Sequence, residues 1–152
     1  MNKYICYTDG AYKESIGSGG WASIICDENE KILKRLYSGL KDTSNNRMEL
    51  LAVLETLKFF KEPSHLIIIS DSMYVVNSIS NNWVKKWFET QDYSKSNLDL
   101  WFQVLELLDK HTVEMRWVKG HAGNSINEEA DKWAQFASQC LNLPNDEYFN
   151  KS

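Results

Sequence analysis

The pattern of apolar and polar positions changes period once along this chain. Residues 3–9 form a short apolar run that ends in Asp9 and Gly10, and they read as a first strand. Residues 10–20 carry glycines at positions 10, 17, 19 and 20 and read as a loop. Residues 21–26 are again strand-like, Asp27-Glu28-Asn29-Glu30 reads as a hairpin turn, and residues 31–40 return as a third strand. Three strands with short connections predict an antiparallel meander. From about residue 46 to 61 the spacing becomes helical, through Leu50, Leu51, Leu54 and Leu57. Asn46 with Glu49 reads as the cap of that helix, which places Glu49 in its first turn, and Pro63 as its stop.

Leu66-Ile67-Ile68-Ile69 is apolar without a break, as expected of a strand covered on both faces in a parallel arrangement. It ends at Ser70-Asp71-Ser72, before a short helix over 73–79. Residues 81–97 are the least regular, with one or two helical turns around Trp83, Trp87 and Phe88. A clearer helix follows over 98–110. Val113, Met115 and Trp117 alternate with Glu114 and Arg116 as a further strand. Ser125 with Glu128 reads as a capping box opening a last helix to about residue 141, and the polar tail beyond it is expected to fray. The predicted order is β-β-β-α-β-α-(α)-α-β-α. It implies an α/β fold with a five-stranded mixed sheet, an antiparallel meander plus parallel strands, flanked by helices on both faces. In an open sheet of this kind ligands bind at the carboxyl ends of the parallel strands.

Composition narrows this only slightly. At 152 residues one domain is expected, with residues 1–142 as the folded unit and 143–152 as a tail. A net charge of −4 argues against nucleic-acid binding through bulk positive charge but leaves room for an acidic site screened by cations. Cys6, Cys26 and Cys140 are odd in number and far apart, and read as reduced core residues of a cytoplasmic protein. No apolar run approaches the ~18 residues that would span a membrane. A monomer is the default expectation.

The candidate chemistry lies in the acids. Asp9 and Asp71 end strands predicted to be parallel, Glu49 opens a helix packed on the sheet, and Asp131 sits on the last helix one turn after Asn127. Each has an ordinary structural explanation when taken alone: a turn, a helix dipole or a cap. Brought together they would repel, and hard divalent ions with oxygen ligands would resolve the repulsion. Two such ions ~3.5–4 Å apart can activate a water and stabilise a leaving oxygen in phosphoester cleavage.

Six motifs then occur in order: Thr8-Asp9-Gly10; Gly17-x-Gly19-Gly20-Trp21; Asn45-Asn46-Arg47-Met48-Glu49-Leu50; Ser70-Asp71-Ser72-x-Tyr74-Val75; Asp99-Leu100-Trp101; and Trp117-Val118-Lys119-Gly120-His121-Ala122-Gly123, followed by Asn127 and Asp131. Together they resemble type 1 ribonuclease H from about residue 3 to residue 140. The resemblance implies an RNase H-like fold and a metal-dependent endoribonuclease that hydrolyses the RNA strand of RNA–DNA hybrids, leaving 5′-phosphate and 3′-hydroxyl ends. It implies two Mg²⁺ ions, with Mn²⁺ able to substitute. Asp9 would bridge both ions, Glu49 and Asp71 would hold mainly the one on the nucleophile side, and Asp131 the other. His121 falls at the family's mobile catalytic histidine and would serve proton transfer or product release. Substrate contacts would come from Gly10 to Ser15, from Asn45 and Asn46, from Ser44 and Asn97 at the DNA strand, and from Trp83, Lys85 and Lys86.

Three departures from the family pattern bear on how the hybrid is held. Met73 stands where many members carry Gln. Asp42 stands where the phosphate pocket usually has Arg, with Lys41 or Lys95 as nearby cations that could compensate. Residues 83–97 are shorter and less basic than the family's substrate handle, which predicts weak, salt-sensitive binding. Alternatives carried alongside are a hybrid-binding module with impaired catalysis, a ribonuclease H domain of a reverse-transcriptase system, and a related polynucleotidyl transferase such as an integrase.

Overall fold

A computed structural model describes residues 1–120 and 125–149. Its elements run β1 (Lys3–Lys13), β2 (Ser18–Cys26), β3 (Ile32–Lys41), α1 (Asn45–Phe59), β4 (His65–Ser70), α2 (Met73–Ser80), α3 (Trp83–Glu89), α4 (Leu98–Leu108), β5 (Thr112–Trp117) and α5 (Ser125–Ser138). The sheet order is β3-β2-β1-β4-β5. β1, β2 and β3 pair antiparallel, whereas β4 joins β1 and β5 joins β4 in parallel. The mixed five-stranded sheet expected from the pattern is therefore present.

Strand alternation sorts the core into two layers. Cys6, Ile25, Leu66 and Ile68 face α1 to α4, where Leu50, Leu54, Leu57, Val75 and Trp101 complete the larger cluster. Tyr7, Ile24, Cys26, Ile67 and Ile69 face the other way, onto α5 at Ala130. All four residues of the run 66–69 are buried, as a strand covered on both faces must be.

Several expectations need correction. β1 does not stop at Asp9: it continues to Lys13 and pairs with β2 throughout, so residues 10–13 and 18–20 are strand rather than loop. Gly20 shows why the glycines misled. It lies under α5, where a Cβ would stand 2.1 Å from the Ala134 carbonyl oxygen, so the residue is dictated by helix packing and not by a turn. The cap of α1 is Ser44, whose Oγ accepts from the Arg47 N–H at 3.2 Å, not Asn46. Glu49 accordingly lies just beyond the first turn of α1. Ser125 is the first residue of α5 rather than the residue ahead of it. Cys140 is exposed, while Cys6 and Cys26 are buried and free.

The tail does not fray over residues 142–149. The Lys41 N–H donates to the Pro144 carbonyl at 2.8 Å, and the Asp146 N–H donates to the Lys41 carbonyl at 2.9 Å. Asp146 then reaches the buried Arg47, accepting from its Nε at 2.6 Å, and accepts from Thr43 Oγ1 at 2.8 Å. Arg47 Nη2 also pairs with Asp99 at 2.7 Å, and its guanidinium lies 5.7 Å from the Phe149 ring. One buried cation thus ties α1, α4 and the tail together. Among the described residues, no helix is long and apolar enough to cross a membrane.

Candidate active site

The site lies where the sheet splits. β1 pairs with β4 only from Lys3 to Tyr7. Thr8 Oγ1 adds one last tie to the Ile69 carbonyl at 3.2 Å, after which the β4-side edge of β1 is open. Asp9 shares the face of Tyr7, toward α5, by strand alternation. Glu49 approaches from α1 on the opposite face. Gly10 permits that approach: a Cβ there would stand 2.5 Å from the Glu49 nitrogen and 2.7 Å from the Met48 carbonyl carbon. The missing side chain thus makes room for α1, which is a different reason from the expected close approach of RNA. Asp71 follows directly on the end of β4.

These three acids converge. Asp9, Glu49 and Asp71 each offer a carboxylate oxygen within 4.8 Å of the others. Asp131 comes from α5 to the same place, lining a small cleft with Asp9, Asp71, Asn127 and Glu128. Burial is the main reason the Asp9 carboxyl is pushed up to about 8, followed by the charges of Asp71 and Asp131 and a hydrogen bond with Asp131. Glu49 is likewise held well above the usual carboxylate range, by burial first and then by Asp9 and Asp71. Its Oε1 is buried without a hydrogen-bond partner.

Crowded, desolvated acids with an orphan oxygen are an unfavourable arrangement for the protein alone. A divalent cation relieves all of it at once. The donors are all oxygens, which selects hard ions such as Mg²⁺ or Mn²⁺ over thiolate-seeking metals. The residues present therefore fit the metal centre expected from the sequence.

The other predicted residues are spread around this centre. Asn45 and Asn46 are exposed in the first turn of α1, and Ser15 is exposed at the tip of the β1–β2 hairpin. Ser44 is half-buried and already engaged as the cap. Asn97 accepts from Arg47 Nη1 at 3.2 Å and donates to the Tyr74 hydroxyl at 3.1 Å, so both of its polar ends are held. Trp83, Lys85 and Lys86 are exposed on α3. Asp42 lines a groove with Tyr12, Ser44, Asp146, Glu147 and Phe149, and since Asp146 is paired with Arg47, Glu147 is the acid that the tail adds there. Lys95 sits over the Trp87 ring and 4.0 Å from Asp92, which occupies one of the two cations expected to offset Asp42. His121 lies outside the described residues.

Three residues beside the acids do more than their places in a cap, a strand and a motif suggested. Glu128 was read as a capping residue, yet it lines the cleft. Gly120 packs against Asp71, and the Trp117 indole bonds to it. The position of Trp117 at the end of an edge strand, with no core left to fill, was the available signal.

The comparisons agree with this geometry. The chain matches the family model described as RNase H over residues 1–139. It is 43% identical over 145 residues to a ribonuclease H of Trichodesmium erythraeum, covering 92% of this chain and 91% of that protein. A ribonuclease H of Desulforamulus reducens is 41% identical over 151 residues, covering 96% and 94%. Among solved structures, LC9-RNase H1, described as a type 1 RNase H with the type 2 active-site motif, aligns with a TM-score of 0.80 at 27% identity, over 91% of this chain and 72% of that one. The N-terminal RNase H domain of Rv2228c from Mycobacterium tuberculosis aligns with a TM-score of 0.74 at 19% identity, over 91% and 94%, and bears on the fold alone. The architecture is thus an RNase H fold carrying a cluster of acids able to take a metal ion. The chain belongs to the RNase H family, and as an enzyme it is a ribonuclease H.

Proposed function

We propose that this chain hydrolyses the RNA strand of RNA–DNA hybrids by a two-metal-ion mechanism, leaving 5′-phosphate and 3′-hydroxyl ends. The observation that carries the reading is the convergence of Asp9, Glu49 and Asp71, together with a buried Glu49 oxygen that has no hydrogen-bond partner. Asp9 would bridge two Mg²⁺ ions, Glu49 and Asp71 would hold mainly the one on the nucleophile side, and Asp131 the other. Ions held by these four residues would supply an activated water and stabilisation of the leaving oxygen. Mn²⁺ has the same preference for oxygen and can substitute.

The protein's own part is placement and proton control. Asp9 and Glu49 hold protons readily without a cation, and would give them up on binding one. His121, flanked by Gly120 and Gly123, is proposed to move a proton or ease product release, since imidazole titrates near neutrality. Asn45, Asn46, Gly10 and Ser15 would meet the RNA strand, where the 2′-hydroxyl distinguishes it from DNA. Ser44 and Asn97 would face the DNA strand, and Trp83, Lys85 and Lys86 would hold the duplex further out. With Asp42 and Glu147 lining the groove beside Ser44, the grip on DNA phosphate is expected to be weak. We place the enzyme in the cytoplasm as a monomer.

The test is cleavage of labelled RNA–DNA hybrid, double-stranded RNA and double-stranded DNA in Mg²⁺, Mn²⁺ or EDTA, with Asp9→Asn alongside. Hybrid alone should be cut, in either metal, by the native protein only. Hybrid cleavage that persists in EDTA or in Asp9→Asn would sink the mechanism.

A further inference from the structure

The β4–β5 ladder ends just short of Asp71. Trp117, the last residue of β5, is in register with Ser70. The final rung is the Val118 N–H donating to the Ser70 carbonyl at 3.0 Å. The next carbonyl along is that of Asp71, where the backbone of β5 supplies no further donor. In its place the Trp117 indole Nε1–H donates to the Asp71 carbonyl at 3.0 Å. Trp117 remains 45% exposed, so burial does not explain its position. Its polar end does, because an aromatic of this kind seeks a partner for its N–H.

Asp71 is bounded on two other sides. The Ser70 hydroxyl accepts from the Ser72 N–H at 3.0 Å, which fixes the turn immediately after it. Gly120 lies against its carboxylate, close enough that a Cβ would be 3.1 Å from Oδ2. Asp71 must hold a carboxylate oxygen within 4.8 Å of those of Asp9 and Glu49 for the three to share an ion. Rotation of its peptide at the end of the ladder would carry the carboxylate away from them, and the indole hydrogen bond opposes that rotation.

We propose that Trp117 is a positioning residue for Asp71. Its indole N–H fixes the peptide that aims the Asp71 carboxylate into the cluster, and thereby sets the affinity for the divalent ion. In this role it touches neither the ion nor the hybrid. The inference rests on the reading that Asp71 is a metal ligand.

The test titrates Mg²⁺ into the full-length protein without substrate, by calorimetry, for the native chain and for Trp117→Phe. Phenylalanine keeps the ring and removes the donor. Outer hydrogen bonds of this kind are typically worth 10–100-fold in metal affinity, and a link through the backbone falls near the low end, so about a tenfold weaker Mg²⁺ affinity is expected. KM for hybrid at saturating Mg²⁺ should be unchanged. In the native protein the Trp117 indole ¹⁵N–¹H signal, assigned from through-bond correlations to its own backbone, should shift with the same half-saturation as the heat. An indole signal indifferent to Mg²⁺ would overturn the proposal, and that readout stands even if the variant fails to fold. Unchanged Mg²⁺ affinity with a raised KM would overturn it too, by making the ring a substrate contact. Absence of Mg²⁺ binding in the native chain would instead overturn the assignment of Asp71 as a ligand.

Discussion

Asp9→Asn should make the metal-free protein more stable while abolishing its activity. Asp9 is buried among like charges, and its carboxyl is pushed from the usual 3.8 to about 8. Between those values the folded state binds a proton that the unfolded chain does not. Folding stability from this group is therefore greatest below about pH 4 and is lost as pH rises toward 8. At ~1.4 kcal/mol per pH unit, the penalty at pH 7.5 is roughly 5 kcal/mol. Asparagine keeps the shape, and its Oδ1 can still accept from the Gly10 N–H, a bond of 2.9 Å in the native chain. Removing the charge should recover about 2–4 kcal/mol, the remainder going to the amide's own burial. Urea unfolding in EDTA at pH 4.5, 6, 7.5 and 9 measures this. The variant should match the native chain at pH 4.5 and exceed it increasingly above. Mg²⁺ should close the gap by stabilising only the native protein. A variant no more stable than the native chain at pH 7.5, or a gap independent of pH, would refute this account of the cluster.

Other expectations follow from the same reasoning. Asp146→Asn leaves the buried Arg47 with Asp99 as its remaining charged partner, and should lower stability by about 2–3 kcal/mol in urea melts. A chain ending after Asn142 should lose at least as much, whereas a loss below ~1 kcal/mol would mean the tail merely rests on the fold. Asp42→Asn should tighten hybrid binding several-fold at low salt and lose that gain at high salt. Asparagine is the choice because the backbone there has φ +53°, which Asn tolerates and Lys does not. His111 is neutral in the fold: burial lowers its pKa, and its Nδ1 accepts from the Ser64 N–H at 3.1 Å. Because the unfolded chain binds that proton more readily, this contribution is complete above about pH 6.5 and declines below it. The stability gap between the native chain and His111→Asn should shrink between pH 7 and 5, as followed by urea midpoints.

What could be read from the sequence, and what could not, divides by range. The run 66–69 and the helical spacing of Leu50, Leu54 and Leu57 are local patterns, and each became the predicted element. The acids were legible because motif order stood in for their distance. The extent of β1 was not legible. Gly10, Gly19 and Gly20 look like loop residues until helices are placed above them, and the reason for each lies on another element. The cap of α1 was misassigned because Ser44, Asn45 and Asn46 are all good capping residues, and only the backbone angle of Ser44 decides among them. The docked tail left no periodic trace. Its anchor is one carboxylate meeting one guanidinium that is 99 residues away.

That separation matters while the protein is being made. Arg47 emerges from the ribosome early, on the helix that also carries Glu49. Asp99 follows, but Asp146 comes nearly a hundred residues after Arg47. Until it arrives, closing the layer over α1 means dehydrating a cation with half its partners missing. The nascent chain should therefore stay loose around Glu49 until residues 142–149 have emerged. The apolar strands β1, β2 and β4, already synthesised, wait through that interval at the elongation rate of ~5–20 residues per second. Synonymous codon changes that slow translation of residues 100–146 would lengthen the exposure, and would do so without altering a single atom of the finished enzyme.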